Sequence, residues 1–87
     1  MMEWFYQVRD EVIKLLREGR TIEWTEKPNP LIKKPWKYVW RLVSQNPAII
    51  DEQVWRGSEL LLHERRRLDE HEVRNMLQVG WQFRVIE

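Results

Sequence analysis

The sequence predicts an α+β fold: a three- to four-stranded, mostly antiparallel sheet with an N-terminal helix and a C-terminal capped helix packed on one face. Three observations carry this expectation. An amphipathic helical repeat opens the chain, strand-like alternation marks residues 21–25 and 81–85, and a capping signal at residues 68–73 starts a second helix. A mainly helical, winged-helix-like domain is the alternative, because the middle of the chain fits either period.

Phe5, Val8, Val12, Leu15 and Leu16 recur at helical spacing, with Glu3, Gln7, Asp10, Lys14 and Arg17 opposite and Gly19 as a stop, so residues 3–18 are expected to be helix. Residues 21–25 alternate with β-favouring types, and Pro28 and Pro30 around Asn29 end that strand. Residues 36–43 satisfy both periods. Trp36, Val39, Trp40 and Val43 make a helical stripe, whereas Trp36, Tyr38, Trp40 and Leu42 line one strand face. Aromatic and β-branched types hold five of these eight positions, which favours a strand. Asn46 and Pro47 then break the element. Residues 48–56 are expected as a short helix with Pro47 at its first position and Gly57 past its end, and residues 60–67 as a further strand. Asp69 reads as an N-cap with Glu72 three residues on, and Leu68 and Val73 are spaced for a hydrophobic staple. That helix runs to about residue 79, burying Val73, Met76 and Leu77, with Gly80 in a left-handed cap. Trp81, Phe83 and Val85 alternate with Gln82 and Arg84 as the last strand.

Eighty-seven residues without linkers or internal repeats are expected to form one domain, residues 1–87. The absence of cysteine excludes a disulfide framework, a thiolate nucleophile and Cys-ligated metal, and leaves the cytoplasm as the expected compartment. Glu3 and Asp10 stand where a signal peptide would carry its basic and apolar regions, and no aliphatic run exceeds Leu60, Leu61 and Leu62, so neither secretion nor a membrane span is expected. Net charge is +1, yet its distribution is segmental: residues 27–50 carry five cations and no carboxylate, whereas residues 51–72 carry seven acids.

No constellation for catalysis emerges, and neither an enzyme, a metal nor a cofactor is expected. His63 and Glu64 begin like a zinc-binding H-E-x-x-H helix, but Arg67 stands where the second histidine belongs. His71 follows His63 by eight residues, which suits neither one helical turn nor neighbouring strand positions. Asp69, Glu70 and Glu72 are what a helix's first turn attracts through its free N–H groups. Ser44, Ser58, Thr21 and Thr25 lie beside no histidine in sequence, and Gly19, Gly57 and Gly80 form no phosphate-cradling loop.

Binding has more to support it. Six tryptophans exceed what so small a core needs, and ten arginines stand against five lysines, the two residue types most concentrated at the energetic centres of protein interfaces. The expected function is a non-catalytic protein-interaction module, a regulatory or accessory factor, docking another protein through Trp36, Tyr38, Trp40, Arg41, Trp55 and Arg56. The alternative is a single-stranded nucleic-acid-binding module built on residues 33–41, with phosphate contacts from Lys33, Lys34, Lys37, Arg65, Arg66 and Arg67. Strand geometry bears on that alternative, because alternation sends Lys37 and Arg41 to the face opposite Trp36, Tyr38 and Trp40. The apolar stripe of the first helix offers a further route, to a partner or to a second copy of the chain.

Overall fold

A computed structural model describes residues 2–26, 31, 34–78 and 80–86, with side chains from residue 10 onward except Gln78. Helix α1 (Met2–Arg17) leads into strand β1 (Thr21–Glu26), followed by β2 (Trp36–Gln45), β3 (Ala48–Arg56), β4 (Glu59–Arg67), helix α2 (Glu70–Gln78) and β5 (Trp81–Val85). The strands form one sheet in the order β4-β3-β2-β1-β5, every neighbouring pair antiparallel. The fold is therefore α+β, and the helical alternative is not supported. Residues 36–45 and 59–67 are strands, covering the strands expected over 36–43 and 60–67.

One expectation is corrected. Residues 48–56 are not a short helix but β3, which raises the strand count from the expected three or four to five. Asn46 and Pro47, joined by a cis peptide bond, make the two-residue turn between Gln45 and Ala48 rather than a helix start. Gly57 does not end a helix either. With Ser58 it forms the two-residue turn between Arg56 and Glu59, at the first central position and with φ +61°, where a type II′ hairpin requires positive φ. Burial along β3 alternates, with Ile50, Glu52 and Val54 inside. Its central inward residue is a glutamate, so the hydrophobic alternation that would have announced the strand is interrupted.

Both helices lie on one face of the sheet, over β1, β2 and β5. Val12, Ile13 and Leu16 of α1 and Val73 of α2 meet Ile22, Trp24, Trp40 and Ile50 of the sheet in a common core. Trp24 and Trp40 are fully buried and pack edge to face with centroids 5.4 Å apart, and Phe83 tilts onto Trp24 at 5.5 Å. The chain leaves α1 at the expected stop, Gly19 (φ +89°), whose N–H donates to the Leu16 carbonyl while the Arg20 N–H reaches that of Leu15, a left-handed cap. At α2 the Asp69 carboxylate accepts from the His71 N–H at 2.9 Å, the cap the sequence announced. Phe5 and Val8 side chains, the Pro28–Pro30 segment and residue 79 lie outside the described residues. Among the described residues no helix is long and apolar enough to cross a membrane.

Candidate binding face

Strand alternation separates the candidate residues onto two faces. On the helix side, Trp40 stands across from Ile22 and Glu52, and Tyr38 across from Trp24 and Val54. Trp40 is sealed from solvent. Tyr38 packs against the core and meets Trp81 edge to face at 5.3 Å. Trp36 occupies the end of the same row, with the Arg56 guanidinium over its ring at 5.5 Å. The six residues of the expected docking patch thus do not assemble: Trp36, Tyr38, Trp40 and Arg56 share the helix side, while Arg41 and Trp55 stand on the reverse.

Buried charge on the helix side is consumed internally. Glu52, 4% exposed, accepts from the Trp40 indole N–H at 2.7 Å and from Arg66 through Nε at 3.0 Å and Nη2 at 2.7 Å. Arg66 also donates to both carboxylate oxygens of Glu72 on α2, and its guanidinium lies 5.5 Å from the Trp40 ring centre. These bonds, led by the one to Glu52, hold the Arg66 guanidinium more firmly protonated than usual. Burial, reinforced by the Glu52 carboxylate, raises the Tyr38 hydroxyl above its ordinary value. Arg66, expected at a phosphate, is instead committed to two carboxylates.

Among the described residues no helix lies over the opposite face of the sheet. Cross-strand rows place Thr21, Arg41, Asp51 and Arg65 side by side, and next to them Arg84, Glu23, Val39, Gln53 and His63. A third row holds Gln82, Thr25, Lys37, Trp55 and Leu60. Asp51 leans toward β4, where its carboxylate oxygens lie 3.0 and 3.1 Å from His63 Nε2 and one lies 3.8 Å from Arg65 Nε. Arg41, directly across from Asp51 on the other side, is consequently left without a carboxylate partner among the described residues. It lines a depression of about 260 Å³ with Thr21, Val39, Asp51, Gln53 and Ile86. The Gln53 side-chain oxygen accepts from the Trp55 indole N–H at 3.1 Å, which leaves its amide hydrogens available as donors at the rim. Lys37 places its ammonium 5.3 Å from the Trp55 ring centre, and Arg84 pairs with Glu23 at 3.0 Å.

Of the residues expected at phosphates, Lys37, Arg65 and Arg67 share this open face and Lys34 is exposed just before β2. Lys33 lies outside the described residues. Among the described residues the face carries Lys37, Arg41, Arg65, Arg67 and Arg84 against the carboxylates of Glu23 and Asp51. Sequence reasoning missed Asp51, Gln53, His63 and Arg84 as members of it. The signal available was Gly57-Ser58, a two-residue hairpin dipeptide that sets β3 against β4 and so Asp51 beside His63. Comparison with protein-family models, with curated proteins and with solved structures finds no match to this chain.

Proposed function

We propose that this chain is a non-catalytic binding module that takes single-stranded nucleic acid on the open face of its sheet. One observation carries the reading: among the described residues, five cations and one accessible indole share a face with two carboxylates, Glu23 paired with Arg84 and Asp51 with His63 and Arg65. The Arg41 depression suits a phosphate, with a guanidinium and the Gln53 amide as donors. Trp55 offers a ring for one unstacked base, worth about 1–3 kcal/mol, and Lys37 beside it adds a charge for the adjoining phosphate. Docking of a protein through a central tryptophan cluster has less support, since Trp40 is sealed and Tyr38 packs against the core.

Tryptophan fluorescence during titration with oligothymidylate at rising salt tests the proposal. Quenching is expected, with an affinity whose logarithm falls by about 0.7 per phosphate contact for each tenfold rise in salt. Trp55→Phe should remove most of the quenching, and Arg41→Gln should weaken binding. Absence of a salt-sensitive response, or equal affinity for polyglutamate, overturns the reading and returns protein docking to first place.

A further inference from the structure

We infer that the single strand taken by the open face is RNA, with Asp51 accepting a hydrogen bond from a ribose 2′-hydroxyl while Arg41 beside it holds a phosphate. This deepens the nucleic-acid reading and rests on it. Asp51 is what a site for phosphate alone leaves unexplained. Its carboxylate lines the same depression of about 260 Å³ as Arg41, which stands directly across from it on β2. Negative charge next to a phosphate is repulsive, so a pure phosphate site would be stronger without it. An ionised carboxylate can only accept, and the ligand group that faces it must therefore carry a proton.

The carboxylate is held ready to accept. His63 Nε2 lies 3.0 and 3.1 Å from its two oxygens and has one N–H to share between them, and Arg65 Nε stands 3.8 Å off, beyond hydrogen-bond reach. Both neighbours approach from β4, which orients the group without closing its β2 side, and the Asp51 side chain keeps 17% of its surface exposed. Since a carboxylate has about four acceptor positions, one shared N–H leaves most of them for a ligand. The parts of a nucleic acid that could meet them are few. Phosphate oxygens are acceptors. Within a chain deoxyribose offers no hydroxyl, because its 3′ and 5′ oxygens are esterified, whereas every ribose offers one at 2′ that can donate. Bases carry N–H groups, but the ring suited to a base is Trp55, four residues along β3 from Asp51 and so about 13 Å away. Val39 and Ile86 complete the depression with apolar surface that suits the C–H face of a sugar. Guanidinium, carboxylate and apolar wall thus match the sugar–phosphate unit of RNA, and Asp51 is the residue that reads the sugar.

Fluorescence anisotropy with end-labelled oligouridylate, oligodeoxyuridylate and 2′-O-methyl oligouridylate, equal in length and at one salt concentration, tests it. The base is the same in all three. The ribo oligomer should bind about tenfold more tightly than the other two, because the deoxy sugar lacks the hydroxyl and the methyl ether keeps its oxygen but loses the proton. Asp51→Ala, with an unchanged circular dichroism spectrum, should abolish that preference and raise affinity for the deoxy oligomer, since a carboxylate has left the neighbourhood of its phosphates. Three results overturn the inference and leave the nucleic-acid reading standing: a wild-type chain that binds the ribo oligomer no more tightly than the 2′-O-methyl one, a preference that survives Asp51→Ala, or a parallel loss of affinity for all three in that variant. Failure of the wild-type chain to bind any of the three overturns the nucleic-acid reading, and this inference with it.

Discussion

Glu52 lies almost wholly inside the layer between sheet and helices, where an unpaired carboxylate would cost several kcal/mol. It is tolerated because the Trp40 indole and Arg66 occupy its oxygens. Arg66→Met should therefore destabilise the fold by about 3–5 kcal/mol in urea titrations, and Glu52→Gln in that background should recover part of the loss. Recovery is the diagnostic outcome, because a purely steric role for Arg66 would gain nothing from neutralising Glu52. Tyr38 gives a pH dependence of definite sign. Its hydroxyl is raised in the folded state, so above about pH 10 the unfolded chain ionises first and stability falls as pH rises. Tyr38→Phe should flatten that alkaline fall in unfolding curves measured at about pH 9 and about pH 11. None of this was legible in the sequence, because a glutamate and an arginine fourteen positions apart announce no partnership until the hairpin between them is known. The residue types at residues 36–43 did announce which way the aromatic row would face: a strand must put Lys37 and Arg41 opposite Trp36, Tyr38 and Trp40.

Local chemistry dominates at the level of elements. The α2 cap was readable because Asp69 acts within its own turn, and Asp69→Ala should cost about 1 kcal/mol by thermal unfolding, chiefly through the orphaned His71 N–H. Glu72, three residues on, has the spacing of a capping-box partner, yet its carboxylate bonds Arg66. A tertiary charge has taken over what local spacing reserved. The β3–β4 hairpin depends on Gly57, and Gly57→Val, with no obstruction beyond the Lys34 side chain, should cost about 1–2 kcal/mol from the positive φ alone. Misreading residues 48–56 had a definite cause: Pro47 fits a helix start as well as a turn, and Glu52 occupies the inward position that would have completed an apolar alternation. Where alternation was intact, as at Trp81, Phe83 and Val85, the strand was evident.

Across the whole molecule the two sides of the sheet have divided the composition. Large rings and aliphatic groups went under the helices, and most of the lysine and arginine of the strands went to the reverse. Near-neutral net charge conceals this division, which is why the formal charge of the chain said little about partners. If the open face engages a single strand, replacing Arg41, Arg65 or Arg84 by Gln should each lower the slope of log affinity against log salt by about 0.7, while Arg66→Gln should leave it unchanged. The sequence supplied the basic residues of this face but not their company, because His63 and Asp51 meet only through the β3–β4 register. The two-sided grip on Arg66 reaches furthest in its effect on motion. One guanidinium ties the edge strand β4 to a helix that packs against the opposite edge strand, β5, so peeling either away breaks a bond to the other. Breathing of the outer hairpin and release of the second helix are then a single event, and slow amide exchange in both should vanish at one common free energy.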